Sequence, residues 1–173
     1  MKILTLCGSI RENSTNHSLL IAIQSFFPLS TKWTNFEIKH LPFFDPHLQF
    51  SSDLTSAVID LRLLAKESEY IIISTPEYAH GIPGILKNAL EWLICEETMK
   101  KKVIVIIGSP SGGEFVKEYL AETLRTMDIV TTQNMTLVIR AARNQVTSLG
   151  EINDLELKLT LQKFVDDILA GKH

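Results

Sequence analysis

Residues 8–17, which read GSIRENSTNH, place many hydrogen-bonding groups between the apolar runs ILTLC and SLLIAI. Gly8 permits a tight exit from a strand, and Arg11 can form a charge-assisted hydrogen bond to an anion. The start of the following helix adds unpaired backbone N–H groups and the positive end of the helix dipole. Further side-chain donors belong to Ser9, Ser14, Thr15 and Asn16. Together these groups suit a phosphate monoester, so the segment predicts a phosphate site.

An ordinary helix cap is the alternative interpretation of this segment. Ser14 or Asn16 would then cap the helix, and Arg11 would face solvent. A cap accounts for only one of the four side-chain donors named above, and it does not account for Arg11. The sequence contains no GxxxxGK[ST] motif, no GxGxxG motif after the first apolar run and no GxSxG motif. A P-loop triphosphatase, a Rossmann dinucleotide site and a hydrolase nucleophile elbow are therefore not indicated.

Two later loops also carry candidate ligand contacts. In TPEYAHGIPGILKNALEW, residues 75–92, prolines stiffen the chain and glycines let the backbone approach a ligand. Tyr78 can cover a planar ring or pack as a loop aromatic, Glu77 is expected to hold the loop, and His80 to face water. In SPSGGEF, residues 109–115, two adjacent glycines allow close approach to a ring edge or serve only as a turn.

Apolar runs that alternate with helical periodicity predict an α/β fold. The predicted strands are KILTLC (2–7), FEIKHL (36–41), YIIIST (70–75), KVIVIIG (102–108) and NMTLVI (134–139). Five helices are predicted. The first spans residues 16–27, the second is capped by Asp53, and the third begins at residue 84 or 85 and ends at residue 94. The fourth spans residues 114–127, and the fifth is the last element of the chain. The expected inner faces of the last two helices are Phe115, Tyr119, Ala121 and Leu124, and Leu155, Leu159, Leu161 and Val165. This order predicts a flavodoxin-like, doubly wound parallel sheet of order 2-1-3-4-5, with the three polar loops meeting at its carboxyl edge.

Composition favours one globular domain over residues 1–173. The chain is 45% apolar, and its 17 basic and 20 acidic residues give a net charge of −3. No basic patch indicates nucleic-acid binding, and the first apolar run is too short for a signal peptide or a membrane span. Cys7 and Cys95 do not form a disulfide framework, which favours a cytoplasmic protein. The histidines lack zinc-site spacing, so no metal is expected.

Two of these segments resemble the motifs of the NADPH-dependent FMN reductase family, which includes related quinone, chromate and azo reductases. Residues 8–16 match the family pattern GSxRxxSxN in full, and residues 76–92 follow a second pattern close to PEYNxSIPGxLKNAxDW. Ala79 replaces the asparagine of that second pattern, and Gly81 replaces its serine. Both departures remove polar side chains beside the flavin that the resemblance implies.

The resemblance implies bound FMN, with NADPH or NADH as electron donor. The implied cofactor-binding residues are Ser9, Arg11, Ser14, Thr15 and Asn16 in the first loop, Pro76, Glu77, Tyr78 and Ala79 in the second, and Ser109, Gly112 and Gly113 in the third. Electrons would pass in ping-pong order to a small flavin, quinone, azo or metal-oxyanion acceptor, with no side chain acting as acid or base. A flavin-binding electron carrier and a phosphate-ester binder or hydrolase are the alternatives.

The resemblance also implies a homodimer or homotetramer with the helix after the PEY motif at the interface. Six apolar residues lie around that helix, more than one sheet face is expected to cover: Ile85, Leu86, Leu90, Trp92, Leu93 and Ile94. The sequence names no clamp for a nicotinamide 2′-phosphate beyond the candidates Arg11, Arg140 and Arg143. NADPH and NADH therefore both stay open as donors.

Overall fold

Five parallel strands form one sheet in the order β2-β1-β3-β4-β5, as the sequence predicts. The computed structural model describes residues 1–95, 98, 100–110, 112–130 and 135–171. The strands are β1 Lys2–Cys7, β2 Lys32–Phe36, β3 Tyr70–Thr75, β4 Lys102–Ser109 and β5 Thr136–Arg140. The helices are α1 Thr15–Gln24, α2 Ser56–Glu67, α3 Gly84–Trp92, α4 Glu114–Thr126 and α5 Leu155–Leu169. Short 3₁₀ turns follow β2 at Ile38–His40 and β5 at Ala142–Asn144.

Two apolar layers cover the sheet. Side chains of α2, α3 and α4 pack with alternate residues of β1, β3 and β4 on one face. Side chains of α1 and α5 pack on the other face. Every residue of β4 after Lys102 is buried, as expected for a central parallel strand covered on both faces. The sheet therefore leaves its carboxyl edge, where the loops emerge, as the place for a ligand.

Strand β2 lies earlier in the chain than the predicted FEIKHL segment. Its pairing with β1 aligns Lys2 with Lys32 and Leu6 with Phe36, and a 3₁₀ turn begins at Ile38. The prediction was wrong because β2 is an edge strand whose sequence, KWTNF, has mostly exposed or half-buried side chains. Such a strand lacks the apolar run of a central one, and its position is set by pairing with β1.

The predicted starts of one helix and one strand also differ from those in the structure. Helix α2 begins after Thr55, its N-cap residue, so Asp53 lies outside the helix and does not cap it. Strand β5 begins at Thr136, since its pairing with β4 starts opposite Val105. Asn134, the first residue of the predicted fifth strand, lies outside the described residues.

The predicted inner faces of α4 and α5 are correct only in part: Leu124, Leu161 and Val165 are buried as predicted, and the other predicted residues are not. Helix α4 buries Val116, Leu120 and Leu124, whereas Phe115 is 51% exposed and Tyr119 is 61% exposed. Both stripes have helical spacing, so periodicity alone could not select the buried one.

The buried face of helix α5 also differs from the predicted one. Leu157, Leu161 and Val165 are buried, while Leu155 and Leu159 face solvent. The side of a helix that meets the sheet depends on the angle at which its connecting loop enters, and sequence spacing does not record that angle.

Helix α3 is covered more fully than its apolar sequence led us to expect. Leu86, Leu90, Trp92 and Leu93 are all buried within the subunit. The loop after β2 folds over this helix: Trp92 Nε1 donates to the Pro42 carbonyl at 2.9 Å, and the Phe44 and Trp92 rings lie 5.0 Å apart. The expectation that one sheet face leaves these residues uncovered was therefore wrong, because the loop supplies the second cover.

Within the described ranges, the helices are all too short or too polar to cross a lipid bilayer.

Candidate functional site

Three loops at the carboxyl edge converge on a cleft of about 280 Å³. Nine of the twelve predicted site residues line it: Ser9, Arg11, Ser14, Thr15, Asn16, Pro76, Glu77, Tyr78 and Ser109. The cleft is completed by Gly108, Pro110, Ala141, Ala142 and Arg143. Ala79, Gly112 and Gly113 lie outside this lining. The structure thus brings most of the predicted residues together, while their contact with a cofactor stays a prediction.

The first turn of α1 forms one end of the cleft. Ser14 is the N-cap residue by position, but its hydroxyl accepts no hydrogen bond from the helix N–H groups of the described chain. Thr15 and Asn16, the first residues of the helix, line the cleft beside it. The first N–H groups of a helix have no acceptor inside the helix, so they are placed to bind an anion here. The ordinary-cap interpretation lacks the side-chain bond that it requires.

The Asn16 side chain has a structural role that the sequence motif does not reveal. Its Oδ1 accepts hydrogen bonds from the Ser74 hydroxyl at 3.0 Å and the Gly108 N–H at 3.2 Å. Its Nδ2 donates to the Gly108 carbonyl at 3.2 Å. This buried amide fastens α1 to β3 and β4, so the part of Asn16 left for a ligand is its backbone N–H.

Two guanidinium groups border the α1 end of the cleft. Arg11 and Arg143 both line it, and neither forms an ion pair with a carboxylate in the part of the chain that the structure describes. Arg143 belongs to the 3₁₀ turn after β5, a loop that the sequence interpretation did not include in the site. The predicted strand order could have indicated it, since β5 pairs with β4 and its carboxyl end must border the same edge.

Glu77 anchors the second loop to the beginning of α4. Its side chain is only 3% exposed. Oε2 accepts the backbone N–H of Val116 at 3.2 Å, in the first turn of α4. Oε1 lies 3.5 Å from Nδ1 of His80, whose exposed ring also contacts Phe115 with the ring centroids 4.4 Å apart. A carboxylate at a helix N-terminus is favourable, which fits the expectation that Glu77 holds the loop.

Tyr78 and Gly81 close a tight turn at the mouth of the cleft. Tyr78 N–H donates to the Gly81 carbonyl at 3.1 Å, and Gly81 N–H donates to the Tyr78 carbonyl at 2.9 Å. Ala79 and His80 between them have φ values of 50° and 58°. These are the angles of a type I′ turn, which favours Asn and Gly at its centre. The turn presents the Tyr78 ring, 52% exposed, beside the cleft.

The double glycine after β4 shapes the third loop. Gly113 is the N-cap residue of α4 with φ 77°, and an added Cβ would lie 2.6 Å from Ile107 Cγ2. Gly112 has φ 110°, and an added Cβ there would lie 3.8 Å from the Arg140 guanidinium carbon. These glycines permit the sharp turn into α4. Ser111, which precedes them, lies outside the described residues.

A second cleft, of about 250 Å³, lies on the other side of the first loop. It shares Ser9, Arg11 and Ser14 with the first cleft and includes Cys7. Burial raises the pKa of the Cys7 thiol, so the uncharged form prevails at neutral pH. No group of three His, Cys, Asp or Glu side chains able to hold a metal ion occurs among the described residues.

Comparisons with known proteins identify a family and relatives that this chain resembles. A family model described as NADPH-dependent FMN reductase matches residues 1–144. The 2-hydroxy-1,4-benzoquinone reductase of a Burkholderia species is 26% identical over 176 residues, covering 98% of this chain and 95% of that protein. The structure of FerB, a flavoenzyme NAD(P)H:(acceptor) oxidoreductase from Paracoccus denitrificans, superposes with a TM-score of 0.85 at 25% identity, covering 95% of this chain and 93% of that one.

A further relative matches over a shorter length. The NADH:(hydroxy)cinnamate reductase subunit CrdA of Vibrio ruber is 33% identical over 114 residues, which cover 65% of this chain and only 55% of that protein. The family match, in contrast, includes the first loop, the PEY segment and the turn after β5 that together line the cleft. The chain therefore belongs to the NADPH-dependent FMN reductase family.

Proposed function

We propose that the chain transfers electrons from NAD(P)H through FMN to a small acceptor in ping-pong order. Membership of the family makes it an oxidoreductase that uses FMN with NAD(P)H as donor. The observation that carries the proposal is the cleft at the carboxyl edge, which is lined both by the N-terminus of α1 and by an exposed aromatic residue, Tyr78. A phosphate and a planar ring joined by a flexible chain match those two features.

The residues of the cleft fit FMN. The α1 end offers backbone N–H groups of Thr15 and Asn16 together with the guanidinium groups of Arg11 and Arg143, which form no ion pair with a described carboxylate. The volume of about 280 Å³ is near the lower end of small-molecule sites, roughly 300–1,000 Å³. A ligand as large as FMN would therefore extend beyond the mouth of the cleft, where Tyr78 lies. The absence of GxGxxG favours a terminal phosphate over the pyrophosphate of FAD.

The chain's own residues position the reactants. When bound, FMN supplies the chemistry, taking a hydride from the nicotinamide and giving electrons to the acceptor in a second step. Ser9, Arg11 and the first N–H groups of α1 would bind the phosphate. The PEY loop, held by Glu77 against α4, would orient the ring, and Tyr78 would cover part of it. Glu77 is committed to the α4 amide, so it serves as an anchor.

The acceptor is proposed as a class. The Burkholderia relative is named for a benzoquinone, and FerB for an unspecified acceptor. These names support a quinone or another small acceptor, with flavins, azo compounds and metal oxyanions as the remaining candidates. Cys7 and Cys95 do not form a disulfide framework, which supports a reducing compartment and hence a cytoplasmic location.

Purified protein tests this proposal directly. We expect it to carry FMN, to lose its flavin absorption band when NADPH or NADH is added without air, and to regain the band when a quinone follows. FAD as the dominant extracted flavin would contradict the cofactor assignment. Flavin that neither nucleotide reduces would favour an electron carrier, and a protein that binds no flavin would favour a phosphate-ester binder.

We also propose that the chain associates with a second copy of itself. Phe115 and Tyr119 on α4, with Ile94 just after α3, leave apolar surface exposed on one side of the molecule. Because Phe115 contacts His80 beside the PEY turn, an interface on this surface would border the cleft.

A further inference from the structure

The loop after β5 brings an arginine to the phosphate end of the cleft, although it belongs to neither family motif. Arg143 lies on the turn Ala142–Asn144. Ala141, which precedes this turn, has φ 49° and donates its N–H to the Ser109 carbonyl at 3.3 Å. That bond ties the turn to the end of β4, which β3 separates from β1 and the first loop. The backbone just before Arg143 is therefore attached to the sheet.

Arg143 and Arg11 line the same two cavities. Both line the main cleft together with Ser9, Ser14 and Thr15. Both also line an adjoining cavity, together with Thr15 and Ser18. Arginines without a carboxylate partner, placed around a helix N-terminus, form a positive pocket that favours an anion.

Among the described residues, no carboxylate that lines these cavities forms an ion pair with Arg11 or Arg143. Glu12 lines the adjoining cavity and is exposed. Glu77 lines the main cleft, but its buried carboxylate is bound to the first turn of α4. By contrast, Arg140, which precedes Arg143 by three residues, pairs with Glu114 at 3.2 Å. The chain therefore leaves Arg143, and not Arg140, available to a ligand on this side.

We propose that Arg143 is a second arginine clamp for the FMN phosphate, opposite Arg11. This inference rests on the proposed flavin function and adds a ligand to it from a fourth loop. A phosphate monoester carries nearly two negative charges at neutral pH, and Arg11 supplies one positive charge. Arg143 supplies the second, and its planar fork matches phosphate oxygens.

A clamp for the 2′-phosphate of NADPH is the competing role. That group would lie at the far end of a dinucleotide whose nicotinamide stacks on the flavin ring. Arg143 shares its cleft with the α1 N-terminus, where the FMN phosphate is expected. The FMN phosphate is therefore the anion that the geometry favours.

Binding of FMN and riboflavin to apoprotein, followed by quenching of flavin fluorescence, tests this assignment. Arg143→Ala should weaken FMN binding about tenfold to a hundredfold, the range for a hydrogen bond to a charged group. Riboflavin has no phosphate, so its affinity should not change. Arg143→Lys keeps the charge but loses the fork, and should fall between the wild type and Arg143→Ala. Arg125→Ala removes an equal charge at the distant end of α4 and should leave both affinities unchanged.

Each other outcome has a definite meaning. Equal loss of FMN and riboflavin, or no loss of either, would overturn the clamp. An unchanged FMN affinity with a raised KM for NADPH, but not for NADH, would assign Arg143 to the 2′-phosphate instead. A wild type that prefers FMN to riboflavin supports the proposed function whichever result Arg143→Ala gives. A wild type that binds neither flavin would overturn both proposals.

Discussion

Arg11 is the side chain that most directly connects the first-loop motif with phosphate binding. It lines the cleft beside the α1 N-terminus and forms no ion pair with a described carboxylate. We expect Arg11→Ala to lower FMN affinity about tenfold to a hundredfold, since a hydrogen bond to a charged group contributes roughly 1.5–3 kcal/mol. Fluorescence titration of apoprotein measures the change, with riboflavin as the ligand that lacks the phosphate. If both flavins weaken equally, Arg11 does not contact the phosphate.

Ala79, which replaces the asparagine of the family motif, has a strained backbone conformation. Its φ of 50° lies in the left-handed region, which disfavours a residue with a Cβ by about 1–2 kcal/mol. Glycine removes that strain but loses more backbone entropy on folding, about 0.5–1 kcal/mol. Ala79→Gly should therefore raise the free energy of unfolding by about 0.5–1 kcal/mol, measured by urea denaturation of the apoprotein.

The same substitution elsewhere supplies the control for Ala79. Ala121 lies on the exposed side in the interior of α4, where glycine is about 1 kcal/mol less favourable than alanine. Ala121→Gly should lower the stability while Ala79→Gly raises it. A lower stability for Ala79→Gly would show that the turn holds no strain of this kind.

At the level of elements, the joint between α1 and the central strands depends on Asn16. Its amide satisfies the N–H and the carbonyl of Gly108 and the hydroxyl of Ser74, all buried. Asn16→Ala should leave these groups unpaired, at about 1–3 kcal/mol for each unsatisfied group. We expect a total loss of about 2–4 kcal/mol, because local relaxation recovers part of it.

Denaturant unfolding of the apoprotein measures this loss without involving the cofactor. Asn153→Ala serves as the matched control, since Asn153 is exposed and lies in the loop before α5. Its unfolding free energy should stay within about 0.5 kcal/mol of the wild type. An equally small effect of Asn16→Ala would mean that water replaces the amide, and that the joint is held by packing alone.

The central elements could be predicted from the sequence, and the peripheral ones only in part. Strands β1, β3 and β4 are buried on both faces, so each appears as an uninterrupted apolar run. Strand β2 has a solvated edge, and pairing with β1 rather than its own pattern determines its place. In α4 two apolar stripes compete, and only the packing against the sheet selects Val116 over Phe115.

At the scale of the whole molecule, strand order explains why most of the predicted site residues line one cleft. The order 2-1-3-4-5 makes β1, β3 and β4 neighbours, so the loops that follow them must converge. The first and second loops matched motifs, and their residues line the cleft as a group. Arg143 carries no motif, and the side-chain network of Asn16 depends on distances across the fold. Neither could be read from spacing along the chain.

The exposed aromatic side chains of α4 lead to the last prediction, which concerns assembly. Phe115 and Tyr119 lie one turn apart on the solvent side of α4, and neighbouring exposed aromatic side chains are typical of protein–protein interfaces. We expect at least a dimer by light scattering at micromolar concentration. Tyr119→Glu should shift the mass toward the monomer, because a buried unpaired carboxylate opposes association.

Leu159→Glu is the matched control for this surface. Leu159 is 62% exposed, like Tyr119 at 61%, but it lies on α5, which covers the opposite face of the sheet. If both variants lose the dimer, the interface is not confined to α4, and if neither does, another surface holds the copies together. A wild type that stays monomeric would show that the contact between Phe115 and His80 serves only to stabilise the PEY turn. The aromatic pair would then stabilise the mouth of the cleft from within one subunit.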